Sequence, residues 1–150
     1  MAYEKTFAML KPGVMQRRLA GEIISRIEKK GLQILGMKLM MIDRTLAETH
    51  YGEHREKSFF GELTKYITSG PVLAMVVGGE SAISMIRTLC GATKADQAAP
   101  GTIRGDFALV TGMNIIHASD SPESAKREIG LFFKETEVLT YEDPNVRWIY

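Results

Sequence analysis

Ser69-Gly70-Pro71-Val72-Leu73-Ala74-Met75-Val76-Val77-Gly78-Gly79 contains the longest strongly apolar run of the chain, Val72–Val77, set between a Gly-Pro stop and a glycine pair. A strand with one wet face alternates apolar with polar residues. This run does not alternate, so it is expected as a central strand buried on both faces. It is far too short to cross a bilayer. Phe60–Ser69 upstream reads as a short helix stopped by Gly70-Pro71, and Leu46–His54 as another. Ser81–Leu89 downstream is helical, with Ile83, Ile86 and Leu89 on its inward side.

The flanking segments continue the alternation. Thr6–Leu10 is a short strand ending at Lys11-Pro12-Gly13. Residues 17–30 carry Leu19, Ile23, Ile24 and Ile27 at helical spacing, and Gly31 closes that helix. Leu32–Ile42 reads as a second strand. Gly91–Met113 has no sustained period and is expected as a long functional loop. Asn114–Ala118 is a last short strand. Ser121-Pro122 then opens a helix over 122–133, with Ala125, Ile129, Phe132 and Phe133 as its apolar side. This order suits an α+β sandwich of the split βαβ type, an antiparallel sheet with helices on one face. The order alone leaves a parallel α/β sheet open.

At 150 residues the chain is expected to be one domain spanning 1–150. Apolar residues make up 45% and charged residues 25%, which excludes a disordered chain. Nineteen Lys and Arg against 18 Asp and Glu give a net charge of +1, which argues against a broad nucleic-acid or anionic-membrane footprint. Cys90 is the lone cysteine, and the N-terminal Met-Ala-Tyr-Glu-Lys-Thr carries no apolar leader. A cytoplasmic location is expected.

His50 and His54 stand four apart in a segment read as helical, a spacing that can bring two imidazoles to one metal. No third ligand lies nearby, and an exposed helical face accounts for them. His117 differs, because it ends a strand directly before a capped helix whose free N–H groups suit phosphate. A buried structural histidine bonded to Ser119 or Asp120 is the competing reading. Glu128 falls on the flank of the apolar side of that helix, where a carboxylate is costly unless paired. It can accept an N–H from His117, fixing the tautomer and leaving the other ring nitrogen as a nucleophile. Lys11, Arg87, Thr93 and Arg104 are candidate phosphate ligands. No Gly-x-x-x-x-Gly-Lys-Ser/Thr motif occurs, so the chain is not a P-loop protein.

Asn114-Ile115-Ile116-His117-Ala118-Ser119-Asp120 is close to the active-site signature of nucleoside diphosphate kinases. Lys11-Pro12, Phe59-Phe60, Ser69-Gly70-Pro71, Gly91-Ala92-Thr93, Pro100 to Phe107 and Glu128-Ile129-Gly130 match further family segments in order. The chain resembles that family along its whole length. The resemblance implies a ferredoxin-like βαββαβ sandwich with a four-stranded antiparallel sheet covered by helices. It implies ping-pong transfer of a γ-phosphate from a nucleoside triphosphate such as ATP to a diphosphate, with GTP, CTP, UTP and deoxy forms also used.

By matching position, His117 is the phosphorylated nucleophile, through Nδ1, with Glu128 on its other nitrogen and Ser119 beside it. Lys11, Tyr51 and Asn114 contact the ribose 3′-hydroxyl or the transferring phosphate. Arg87, Thr93 and Arg104 hold the remaining phosphates. Phe59 stacks on the base, beside Leu63 and Thr111, and stacking tolerates every base. Mg²⁺ arrives with the nucleotide, held by phosphates and water without a side-chain cage. The family implies a homo-oligomer, hexamer or tetramer.

The chain departs from the family pattern in three places. Lys11-Pro12-Gly13-Val14-Met15-Gln16-Arg17-Arg18 replaces Lys-Pro-Asp-Gly-Val-Gln-Arg-Gly, Ala118 stands for the commoner glycine, and Ala95 stands where many members have proline. The first change supports an alternative reading, a nucleotide-binding regulatory or scaffold protein with weakened catalysis. An RNA-recognition domain of similar topology would need strand aromatics and a basic surface, and the sequence offers neither.

Overall fold

The computed structural model describes residues 3–150; Met1 and Ala2, part of the stretch read as lacking a leader, lie outside them. In chain order the elements are β1 (Tyr3–Leu10), α1 (Ala20–Lys30), β2 (Gln33–Met40), α2 (Arg44–His50), α3 (Phe60–Ile67), β3 (Val72–Glu80), α4 (Ala82–Cys90), α5 (Ile103–Phe107), β4 (Ile116–Ala118), α6 (Pro122–Phe132) and α7 (Val146–Ile149). The strands form one sheet in the order β2-β3-β1-β4, every neighbouring pair antiparallel. That order and the connecting helices make the ferredoxin-like α+β fold.

β3 is central and buried along nearly its whole length, as its unbroken apolar run requires. Its side chains alternate between two cores. Leu73, Met75 and Val77 pack with Ile23 and Ile27 of α1 and Ile86 of α4. Val72, Ala74 and Val76 pack with Ala47 of α2, Ile67 of α3 and Phe132 of α6. The sheet therefore has helices on both faces, which corrects the expectation of cover on one face. A strand apolar on both sides needs cover on both sides.

Two further readings change. The 91–113 stretch holds α5 and two 3₁₀ turns, Ala95–Gln97 and Thr111–Met113. α5 is too short to show a period in sequence, and it is fixed by its cap, where Thr102 Oγ1 accepts from Gly105 N at 3.0 Å. The last strand is shorter than 114–118 because Ile115 has φ 75° and leaves the extended region. Among the described residues no helix is long and apolar enough to cross a membrane.

Candidate active site

β4 runs beside the C-terminal half of β1, with His117 opposite Met9 and Ile116 opposite Leu10. The pairing carries β1 straight into Lys11, whose N–H donates to Ile115 O at 2.8 Å. Lys11 and His117 thus belong to adjacent strand ends. Ser121 caps α6, its Oγ accepting from Ser124 N at 3.1 Å, with Pro122 in the first turn. The helix then returns over the sheet and points Glu128 back at His117.

Glu128 is 2% exposed. Its Oε2 lies 2.7 Å from His117 Nε2, and its Oε1 accepts from Ser119 Oγ at 2.5 Å. Burial pushes this carboxyl up, but hydrogen bonds from His117 and Ser119 and the nearby imidazole charge outweigh it, holding Glu128 below the usual carboxylate range. An ionised carboxylate on Nε2 favours the proton on that nitrogen and leaves Nδ1 of the neutral ring with its lone pair.

His117 lines a cleft of about 300 Å³ together with Lys11, Tyr51, Arg87, Thr93, Arg104, Asn114, Ser119 and Glu128, all sites expected from the sequence. Lys11 Nζ donates to Asn114 Oδ1 at 2.6 Å, and Asn114 Nδ2 donates to Thr93 O at 3.1 Å. Burial, helped by the charge of Arg104, pulls the Lys11 ammonium down to about 8. Arg87 donates to Ala118 O at 3.2 Å, immediately after His117. Burial raises the Tyr51 phenol to about 12, keeping it a neutral hydroxyl.

Arg104 is 3% exposed and spends its guanidinium on backbone. Nε donates to Asn114 O at 3.2 Å, Nη1 to Gly91 O at 3.0 Å and Nη2 to Ile116 O at 2.6 Å. Two of these carbonyls flank Ile115. There Ile116 N donates to Asn114 O at 2.8 Å across a central residue with φ 75°, a γ-turn that a β-branched side chain resists. Arg104 fastens a strained turn between Asn114 and His117.

Phe59, Leu63 and Thr111 do not line the cleft. Phe59 is 44% exposed at the start of α3, its ring 5.7 Å from that of His54, and Thr111 Oγ1 accepts from Ala95 N at 3.0 Å.

His50 corrects the sequence reading. It is buried, not on an exposed face, with its ring 4.8 Å from that of His117 at 83°. Its Nδ1 lies 3.3 Å from Glu128 Oε2. α2 ends at His50 and His54 sits in a 3₁₀ turn, so the two do not share a helical face. The sequence carried one signal for this, the spacing of Ala47 and His50 one helical turn apart, and in α2 both are buried. Burial and the neighbouring His117 push His50 down to about 3, against the pull of Glu128, so it stays neutral. Glu53, His54, Asp120, Ser124 and Arg127 also line the cleft; none of them was assigned a nucleotide contact from the sequence.

Comparison with known proteins places the whole chain in one family. A family profile for nucleoside diphosphate kinase matches residues 4–138. The nucleoside diphosphate kinase of Methanobrevibacter smithii is 62% identical over 147 residues, covering 98% of both chains. That of Archaeoglobus fulgidus is 58% identical over 147 residues, covering 98% of this chain and 97% of its own. A Halobacterium salinarum nucleoside diphosphate kinase solved in complex with CDP superposes with a TM-score of 0.96 at 48% identity, with 99% of each chain covered. Matched along nearly its whole length, the chain belongs to the nucleoside diphosphate kinase family of phosphotransferases.

Proposed function

We propose that this kinase domain passes a γ-phosphate between nucleotides through a covalent phosphate on His117 Nδ1. The His117 Nε2 to Glu128 Oε2 contact of 2.7 Å carries this reading, because it holds the proton on one nitrogen and frees the other. The Nδ1 lone pair attacks the γ-phosphorus, an N–P bond forms, the β–γ bridging P–O bond breaks, and the nucleoside diphosphate leaves. A second diphosphate reverses these steps. Exchange between nucleotides is nearly thermoneutral, so the carrier must have comparable transfer potential, and a phosphoimidazole has it where a serine ester would be a sink. Lys11 and Arg87, with the N–H groups of Arg104 that its three backbone bonds leave over, face the charge that spreads over the equatorial oxygens. Tyr51 and Asn114 suit the ribose 3′-hydroxyl, Thr93 a further phosphate, and exposed Phe59, with Leu63 and Thr111, the base. The relative solved with CDP supports nucleotide binding of this kind.

Mg²⁺ belongs to the substrate in this reading. A hard cation needs oxygen ligands. The buried carboxylate Glu128 stands between the nitrogens of His117 and His50, a set that does not suit a hard ion, so phosphate oxygens and water hold the Mg²⁺. The buried free thiol of Cys90 suits a reducing, cytoplasmic setting. The departure at Gly13 leaves Lys11 on Asn114 Oδ1 in the cleft, so no observation favours the weakened scaffold reading.

The test is incubation with Mg²⁺ and γ-labelled ATP without acceptor, followed by a GDP chase. The expected result is acid-labile, base-stable protein label that moves to GTP and is missing in His117→Ala. Nucleotide binding without any label on the unmodified chain would overturn the reading.

A further inference from the structure

His50 is the buried polar group that the phosphoryl-transfer reading leaves without a task. Both of its ring nitrogens are shielded from solvent and lack a hydrogen-bond partner among the described residues. An unsatisfied buried polar group is costly, and His50 lines the cleft beside His117. His50, His117 and Glu128 offer two imidazole nitrogens and a carboxylate oxygen, all within 4.8 Å of one another. Two histidines and a glutamate with an open fourth position form a ligand set suited to zinc-like ions rather than to Mg²⁺.

We propose that His50, His117 and Glu128 form a binding site for a borderline divalent transition-metal ion of the zinc type, separate from the Mg²⁺ that travels with nucleotide, and that its occupancy blocks phosphoryl transfer. Bonds of about 2.0–2.2 Å in a tetrahedron set ligand atoms about 3.3 Å apart. His50 Nδ1 and Glu128 Oε2 already stand at 3.3 Å. His117 Nε2 stands 2.7 Å from that oxygen and the three donor atoms lie within 4.8 Å of one another, so the His117 ring has to withdraw slightly from the carboxylate and close on His50 as the ion binds. On binding, the proton on His117 Nε2 leaves to solvent, a metal–nitrogen bond takes its place, and the fourth position opens on the cleft. Lys11, Arg87, Arg104 and Arg127 line that cleft, so the ion takes an anionic fourth ligand such as hydroxide or a phosphate oxygen. Inhibition follows because the metal withdraws electron density from the ring and occupies the carboxylate that orients it. The inhibition rests on the phosphohistidine reading; the metal site does not.

Co²⁺ replaces Zn²⁺ with a visible spectrum that reports coordination number, so the full-length chain is titrated with Co²⁺ in chelator-free buffer. The expected result is one Co²⁺ per chain with the intense bands of a four-coordinate site, displaced by Zn²⁺. His50→Gln should weaken binding at least about tenfold, and His54→Gln should leave it unchanged. His117→Gln, titrated in parallel, keeps the test decisive if His50→Gln does not fold, and it too should lose the bands. Absence of four-coordinate bands on the unmodified chain overturns the proposal. So does binding that survives both His50→Gln and His117→Gln. In the labelling assay Zn²⁺ should suppress phosphoprotein reversibly, with chelator restoring it; bands without that suppression would overturn the inhibitory half. A chain that takes no label even without Zn²⁺ but keeps its Co²⁺ bands would count against the phosphohistidine reading alone.

Discussion

Lys11 shows how burial sets a working range. Its ammonium is drawn down to about 8, so it is charged below that pH and loses its proton as pH rises through it. A phosphate clamp that needs this charge weakens on the alkaline side. The expected profile of kcat/KM for a nucleoside triphosphate is a plateau near neutrality that falls above about pH 8, up to about tenfold per unit. Lys11→Arg should keep its plateau to higher pH at a lower level. A flat profile to pH 10 would show that the Lys11 charge is not used. His50 works in the opposite range. Its folded value of about 3 lies below the ordinary 6.5, so between those values the unfolded chain binds the extra proton. Stability therefore falls as pH drops through this window, by about 2 kcal/mol on reaching pH 5 from this residue alone. Denaturant midpoints from pH 7 to 5 should fall more steeply for the unmodified chain than for His50→Gln, and equal slopes would refute the assignment.

At the scale of elements, the short helix α5 positions Arg104. Gly105 is needed there because a Cβ would collide with the Ala99 carbonyl and crowd Thr102 Oγ1, the oxygen that caps the helix. Gly105→Ala must push α5 away from its loop and carry Arg104 off the carbonyls of Asn114 and Ile116. That releases the γ-turn at Ile115 and with it the aim of His117. A stability loss of about 2–4 kcal/mol is expected, as for an overpacked buried contact. A fall in transfer rate of about tenfold or more should accompany it, from loss of orientation at the reacting atoms. Thermal unfolding and turnover of the same sample check both; unchanged turnover would mean that α5 does not orient His117 for the reaction. Arg104 and Ser121-Pro122 were readable in sequence as a charge and a helix start. The strain at Ile115 was not, since nothing local marks an isoleucine for a left-handed turn.

For the whole molecule the open question is the outer edge of the sheet. Among the described residues β3 is the strand partner of β2; on its outer side Leu139 N and the Tyr141 hydroxyl donate to the carbonyls of Leu35 and Ile34, while further along Met37, Leu39 and Met41 are 42%, 61% and 59% exposed. The uncovered end of an apolar edge is a template for another chain. The homo-oligomer implied by the family resemblance would use such a surface, so light scattering should give a mass above that of one chain. Leu39→Asp combined with Met41→Asp should shift the mass toward the monomer. An unchanged mass would place the contact elsewhere.

The apolar run of β3, the cap before α6 and the ordered motifs around His117 are local patterns, and local patterns survive in a linear string. They were enough for the strand and helix order and for the pairing of His117 with Glu128, while the choice of an antiparallel over a parallel sheet came from the family resemblance, because element order alone leaves both open. The two-sided helical cover, the burial of His50 against His117, and the use of Arg104 as a backbone clamp depend on which segments meet. His50 lies in α2 and His117 in β4, distant in sequence and joined only because both faces of the sheet had to be covered. Packing decided that meeting, since the free energy of burial is shared among contacts that no single stretch of sequence contains.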